Sequence, residues 1–387
     1  MSGRSSRLPQ VVIGSASKFW TFHQARGAEQ AGMLHRLIVP LADKTETGVP
    51  LEKIKNIPWP AYAAFAISRL PFPQSLYWSY YVGDNWFDLV ARRHIGGADI
   101  CHFYNNHGLY TFREAKKQGM ITIVERSSAH PVYQHEILRQ EYEHLGLKLP
   151  GVVKPLVDKH VQEYVEADWI IVTSEFIRRS MIAGGVPAEK MRLIPLGFAP
   201  DRFFPTPKGD DKFRVIYAGQ LCVRKGLHYL LAAWKIAGLP PEKSELLLVG
   251  DIQPDAHNFL PKYHGTYRHI PFVPNSQLPG LYNSGSVFCL PSLEDGYPMV
   301  MCEAAACGLP IIVSTNTGTF TRDGEDGFIV PIRNADAIAG KLTYLYQHEV
   351  ERQRMGQLAR ERILQFDWAY NQRELIRFYS EIWKHAS

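Results

Sequence analysis

The chain has 387 residues, of which 45 % are hydrophobic, 12 % aromatic and 21 % charged. That length suits two to three domains with full hydrophobic cores, and that composition excludes a disordered or low-complexity protein. The net charge of +5 excludes a histone-like polycation and gives no reason to expect a nucleic-acid partner, but it permits contact with an anionic surface or substrate.

Short β-type runs alternate with helical patterns along the whole chain, which predicts βαβ units and parallel sheets. In the first half, strands are expected at Val11–Ile13, His35–Val39, Asp99–Phe103, Ile121–Val124, Trp169–Val172 and Arg192–Pro195. No apolar stretch in Met1–Gln10 reads as a secretory leader. One region breaks the rhythm. Trp59–Phe87 carries ten aromatic residues among prolines, either an aromatic core under an insertion or a flap facing an acceptor or a membrane. The stretch Phe204–Asp211, with two prolines, a glycine and a charge cluster, reads as a linker.

A second strand series is expected at Phe213–Tyr217, Leu246–Val249, Arg268–Ile270, Val287–Leu290, Ile311–Val313 and Phe328–Val330, followed by two or three amphipathic helices from Ala335 to Trp383. Runs such as Leu246-Leu247-Leu248-Val249 are apolar throughout, as strands covered on both faces require. The five cysteines are odd in number and scattered in apolar runs, so they read as reduced core residues of a cytosolic chain. Residues 1–200 hold 23 Lys and Arg against 18 Asp and Glu, whereas residues 201–387 hold 20 of each. The whole excess therefore lies in the first half, where an anionic surface would dock.

Two loops of the second half carry the chemistry. Leu290–Pro310 runs from a strand through Glu294, Asp295 and Gly296 into a helix starting near Pro298 and stopping at Gly308. Glu303 is the lone charge on that helix, which needs either a structural partner or a ligand hydroxyl. The free N–H groups at the helix start, Tyr297 to Val300, form an anion site. The second loop, Ala218–Leu227, holds Gly219, Gln220, Arg224 and Lys225 between a strand and a helix, where cations suit a diphosphate. It is not a Walker loop, and no G-x-G-x-x-G follows the first strand. No D-x-D pair stands out, so no divalent metal is expected to share the diphosphate charge.

Taken together these residues resemble a family 4 glycosyltransferase with the GT-B fold, most strongly from Tyr164 to Pro331. Ala167–Phe176 resembles the last strand and helix of the family's first domain, and Ile194–Phe198 its P-x-G-V turn. Lys225-Gly226 matches the K-G that meets the donor diphosphate. Asp295 and Glu303 stand at the two ends of the E-x7-E motif, which continues through Ala304 and Cys307–Pro310.

The resemblance implies two doubly wound α/β, Rossmann-like domains facing a cleft. The expected division is 1–205 on the acceptor side, 206–365 for the nucleotide sugar, and a helix 366–387 packing back on the first domain. It implies metal-independent, retaining transfer of a hexosyl group from a nucleotide-diphosphate sugar to a glycan or lipid-linked acceptor in cell-surface polysaccharide synthesis, with no other cofactor. By position, Lys225 neutralises the leaving phosphate, Glu303 binds ribose hydroxyls and Asp295 contacts the sugar. The backbone at Gly296, Tyr297, Pro298, Met299 and Val300 meets the diphosphate and sugar, and Phe272-Val273 lies near the base. His130, after the strand Ile121–Val124, is the candidate near sugar and acceptor.

Three positions depart from the family: Gln220 stands where an Arg is common, with Arg224 as the substitute cation. Asp295 replaces Glu, and Ser15–Gln24, with Trp20 and His23, replaces the glycine-rich loop. A non-catalytic nucleotide-sugar-binding subunit, or another GT-B enzyme such as an epimerase, is the alternative. The expected location is the cytoplasm, with peripheral docking at the inner face of the plasma membrane.

Overall fold

The computed structural model describes residues 7–17, 20–71, 75–151 and 154–385. Its first part holds strands β1 (Val11–Gly14), β2 (Leu34–Val39), β3 (Ile54–Asn56), β4 (Ile100–Tyr104), β5 (Ile121–Arg126), β6 (Trp169–Val172) and β7 (Met191–Leu193). Between them lie helices α1 (Thr21–Gln30), α2 (Lys44–Thr47), α3 (Trp59–Ser68), α4 (Ser75–Ala91), α5 (Leu109–Lys117), α6 (Pro131–His144), α7 (Lys154–Glu166) and α8 (Glu175–Ala183). The second part holds β8 (Phe213–Ala218), β9 (Ser244–Val249), β10 (Arg268–Ile270), β11 (Val287–Leu290), β12 (Ile311–Ser314) and β13 (Gly327–Val330). Its helices are α9 (Leu227–Ala237), α10 (Leu278–Asn283), α11 (Met299–Ala306), α12 (Ala335–Gln347) and α13 (Glu349–Ile363), and α14 (Trp368–His385) closes the described chain.

Two wholly parallel sheets result, ordered β3-β2-β1-β4-β5-β6-β7 and β10-β9-β8-β11-β12-β13. The strand order reverses between β1 and β4 in one and between β8 and β11 in the other. In open parallel sheets the crevice beyond the strand ends at such a reversal is where ligands bind. The loops leaving β8 and β11 are the two that the sequence singles out for chemistry.

Every predicted strand is present, its ends moved by at most two residues. Strand β7 stops at Leu193 because Pro195 cannot donate to a ladder. Strand β3 is the one the sequence does not announce: Ile-Lys-Asn at a sheet edge has no apolar run. The interior strands β8 and β11 are buried at every residue, as continuous apolar runs demand. Local chemistry sets the helix starts: Ser174 accepts from the Ile177 N–H and Asn334 from the Ala337 N–H. All five cysteines are buried and unbridged.

Helix α14 packs on the first sheet's side. Its Leu375, Phe378, Tyr379 and Ile382 share a core with Val11, Ile13 and Leu37. Tyr379 Oη lies 2.6 Å from His102 Nδ1, and Gln372 donates to the His23 carbonyl at 2.7 Å. The His23 ring stacks on Trp368 at 4.0 Å, so this residue of the expected acceptor loop ties the two ends of the chain together instead.

The aromatic segment is a helical hairpin. On α4 the buried positions are Ser79, Gly83, Phe87, Asp88 and Ala91, one stripe at helical spacing. A Cβ on Gly83 would stand 2.8 Å from the Ala64 side chain, so α3 and α4 lie in close contact. Of the two readings of Trp59–Phe87, an aromatic core describes only Phe87 among the described residues; Phe72 lies outside them. Trp59, Tyr62, Phe65, Trp78, Tyr80 and Trp86 are exposed. No helix among the described residues is long and apolar enough to cross a membrane.

Candidate active site

Glycines build the second domain's half of the cleft. Gly219 and Gly250, with φ of 134° and 133°, end β8 and β9 and touch: a Cβ on Gly250 would lie 2.1 Å from the Gly219 carbonyl oxygen. Gly226 is left-handed (φ 67°) and caps α9, with room for no side chain because its Cβ position is 1.9 Å from the Pro291 oxygen. The Lys225-Gly226 turn is thereby pressed onto the exit of β11. Lys225 Nζ there donates to Asp295 Oδ2, and the two side chains are only 13 % and 11 % exposed. The family's lysine and first motif carboxylate are therefore an ion pair.

Helix α11 begins after Pro298 with no side-chain cap; the Met301 N–H donates to the Pro298 carbonyl at 3.1 Å, and a helix start of this kind is a favourable place for an anion. It ends before Gly308 (φ 85°). Glu303, half-buried on it, accepts a hydrogen bond from the Tyr282 hydroxyl at 2.9 Å. Burial pushes the Glu303 carboxyl up, and the Tyr282 bond pulls it partly back. Its structural partner is a neutral phenol, which leaves the charge itself uncompensated. Phe272 is exposed and its N–H reaches Asp251 at 3.3 Å, whereas Val273 is half-buried on the domain core. Gln220 is exposed, and its carbonyl accepts from Tyr217 at 2.7 Å. Arg224 lies within reach of the same loop: Nη1 donates to the Glu294 carbonyl at 3.1 Å and lies 3.5 Å from its carboxylate.

Glu294 is the residue that sequence reasoning missed. It is buried, and it accepts from the Ala129 N–H at 3.0 Å and Gln134 Nε2 at 2.7 Å, both in the first domain. Nothing in its spacing separates it from its neighbour Asp295, because its partners lie about 165 residues away in sequence. The seam continues nearby: Ser174 Oγ donates to the Gly296 carbonyl at 2.7 Å, and Arg179 donates to the Thr315 carbonyl at 2.9 Å. At the far end of α6, buried Glu141 receives His228, Tyr229 and Arg333 of the second domain at 2.8, 2.7 and 2.7 Å. Helix α6 thus bridges the two domains.

His130 packs its ring against Gly184, 5.7 Å from the Tyr164 ring and inside the first domain, and its N–H donates to Ser180 at 3.0 Å. It is buried at the start of α6, and its neighbour Ala129 is on the seam with Glu294 of the second domain. The first domain presents other groups at its sheet reversal. Glu125, near the end of β5, accepts from Trp20 at 2.7 Å and Gln24 at 2.8 Å. The loop after β4 is tied to buried Glu163 through the N–H groups of Gly108 and Leu109. It holds Asn106 at φ 78°, a strained conformation for a non-glycine residue.

Burial moves several protons here. His107 is held down to about 3 and His130 to about 4, and His160 lies well below its ordinary value. Asp84 and Glu163 are pushed up to about 7. Below about pH 6.5 the unfolded chain protonates imidazoles that the fold keeps neutral, so their contribution is whole above 6.5 and lost as pH falls toward 4. The two carboxylates act oppositely: they favour the fold at low pH and lose that contribution as pH rises through 7. Three imidazoles outweigh two carboxylates, at about 1.4 kcal/mol per pH unit for each net proton. The thermal midpoint should therefore peak near pH 6.5 to 7 and fall on acidification to 4.5. A midpoint that rises as the pH is lowered from 7 to 4.5 contradicts this assignment.

Comparison with known proteins agrees with this geometry. Residues 212–348, which span β8 to α12, match the family model described as glycosyl transferases group 1. The capsular polysaccharide biosynthesis glycosyltransferase CapM of Staphylococcus aureus is 27 % identical over 218 residues, covering 50 % of this chain and 56 % of that protein. The phosphatidyl-myo-inositol mannosyltransferase of Mycobacterium leprae is 28 % identical over 165 residues, 41 % of this chain and 44 % of that one. The chain thus matches about half the length of these relatives. Among solved structures, sucrose-phosphate synthase from Thermosynechococcus elongatus superposes with a TM-score of 0.69 at 18 % identity, over 98 % of this chain and 100 % of that one. HepE of Anabaena, in complex with UDP, gives 0.69 at 13 % identity, over 96 % and 100 %. Residues 212–348 thus carry a glycosyl transferases group 1 domain on the second sheet, and the chain has the GT-B architecture along nearly its whole length.

Proposed function

We propose that the chain transfers a hexosyl group from a nucleotide-diphosphate sugar to a lipid-linked or glycan acceptor, with retention at the anomeric carbon and without a metal ion. The observation that carries this reading is the grouping at the β8/β11 reversal: the Lys225–Asp295 ion pair, the α11 N-terminus and the Glu303 carboxylate. A diphosphate seated on the α11 N–H groups lies beside the Lys225 ammonium. A ribose diol suits Glu303, whose charge the Tyr282 phenol does not neutralise. In the transfer, the bond from the anomeric carbon to the phosphate oxygen breaks and the bond to the acceptor oxygen forms on the same face. The acceptor proton passes to the departing phosphate, so no protein nucleophile is required. Charge growing on that phosphate is what Lys225 stabilises. The acceptor enters from the first domain, which carries the positive excess and the exposed aromatic face of α3 and α4, and that face rests on the inner leaflet of an anionic membrane.

The test is a panel of UDP-, GDP- and ADP-sugars. At least one should raise the thermal midpoint and release its nucleotide, faster with acceptor lipid extract, and anionic vesicles should co-sediment with the chain but less with a Trp59→Ser, Trp78→Ser, Trp86→Ser variant. HepE, whose structures hold UDP and UDP-glucose, makes the uridine donors the first to try. Binding without release from any donor favours a non-catalytic sugar-nucleotide subunit, and no binding at all rejects the reading.

A further inference from the structure

A cavity of about 520 Å³ opens between the domains, on the flank of the loop that carries Gln220 and Arg224. Its two walls differ. The first-domain wall is largely apolar, made by Tyr77 of α4, Leu138 of α6, Leu149 of the following loop, and Leu156 and Val157 of α7. The second-domain wall is polar, with Gln220, Arg224 and Gln253. The apolar side chains there are half-buried, and Leu149 also packs against the second domain's core. Phe272, Val273 and Glu303, the groups assigned to base and ribose, do not line it. It therefore lies away from the base and ribose groups and meets the donor side only at Gln220 and Arg224 of the diphosphate loop. His160 also lines it; its Nδ1 is buried without a hydrogen-bond partner, and burial holds the imidazole well below its ordinary value. Through Tyr77 the cavity borders α4, whose Leu76 and Trp78 are exposed. Arg69, at the end of α3, is exposed and stacks on Phe65 at 4.2 Å.

An apolar wall leading from an exposed aromatic surface, ending against an arginine and amides beside the transfer loop, fits an amphiphile. It does not fit a free glycan, which would leave the Leu138, Leu149 and Leu156 side chains facing hydroxyls. We propose that this cavity holds the hydrocarbon part of a lipid-linked acceptor, with its polar head toward Arg224 and Gln220. The proposal rests on the transferase reading above and narrows its acceptor to a lipid. Cavities of this size and character are those that bury drug-sized apolar ligands.

The probes are hexyl, octyl and decyl β-glucoside below their micellar concentrations, with glucose as the chain-free control, titrated calorimetrically against the whole chain. Affinity should climb with chain length, by up to about fourfold for each methylene that becomes fully buried. Glucose alone should not bind measurably. In Leu138→Asn with Leu156→Asn the dependence on chain length should flatten, while the thermal shift given by a bound sugar nucleotide stays as in the parent. Leu138→Trp, which fills the space without adding polarity, should abolish decyl glucoside binding and covers the case in which the double variant does not fold. Equal binding of glucose and decyl glucoside, or a chain-length dependence that survives both variants, overturns the proposal. Alkyl glycoside binding in a chain that binds no sugar nucleotide would leave the cavity standing and reject the transferase reading instead.

Discussion

Replacing Lys225 by Ala is expected to lower kcat/KM by at least about 10²-fold, with most of the loss in kcat. Its ammonium sits in a nearly dry turn, fixed by Gly226 against Pro291 and paired with Asp295. There a positive charge needs no reorganisation as the phosphate departs, which makes it stronger in the transition state than in the bound donor. The substitution also strands Asp295, 11 % exposed, without its cation. Removing one partner of a fully buried pair costs about 3–5 kcal/mol, and somewhat less is expected here because both ends touch solvent. Lys225→Ala combined with Asp295→Asn separates the two effects: the combination should recover much of the thermal stability and none of the rate. Glu303→Ala, by contrast, should raise KM for the donor by about 10²-fold with a smaller change in kcat, because a carboxylate holding ribose hydroxyls binds ground and transition states alike. Glu303→Gln keeps an acceptor for the Tyr282 hydroxyl and should stay folded while still losing donor affinity. Steady-state kinetics on the donor found by the panel read all of these. A Lys225→Ala enzyme with near-normal kcat would remove the lysine from the transfer step.

The sheets were legible because parallel strands announce themselves. Leu246–Val249 and Val287–Leu290 are apolar without interruption, and the first is stopped by Gly250, the second by Pro291. The second domain's site was legible for a related reason. Lys225, Asp295 and Glu303 are close in sequence to the strand ends that position them, so spacing along the chain translates into proximity across the β8/β11 reversal. Relations across the cleft were not legible. Glu294 looks like any loop carboxylate until Ala129 and Gln134 arrive from another domain. The packing of His130 was not legible for the complementary reason: a histidine after a strand is as suited to packing as to catalysis, and its ring lies against Gly184, the residue that follows α8. The aromatic density of Trp59–Phe87 was visible, but its meaning required knowing which stripe of α4 is buried. That stripe, Ser79, Gly83, Phe87 and Ala91, is small apart from Phe87, so burying it against the domain leaves Trp78, Tyr80 and Trp86 outside.

Gly296→Ala should produce the second large effect, and through a different physical route. A Cβ at this position would lie 1.8 Å from the carbonyl oxygen of Ser127, in the loop between β5 and α6 of the opposite domain. No rotamer relieves such an overlap, since both atoms are fixed to backbone. The seam must therefore open by on the order of 1 Å, and misplacements of that size cost about 10²-fold when reacting groups come from two bodies. The opening would also strain the bond from Ser174 Oγ to the Gly296 carbonyl and the two bonds that Glu294 accepts from Ala129 and Gln134. Each domain keeps its own core, so the far-ultraviolet spectrum should match the parent. Transfer to acceptor should fall at least about 10²-fold, whereas donor binding, made mostly by the second domain, should weaken far less. Scattering in solution should show a larger radius of gyration with donor bound than the parent gives. If Gly296→Ala transfers at the parental rate, the closed seam is not the reacting arrangement, and the acceptor groups of the first domain must meet the donor in a more open one.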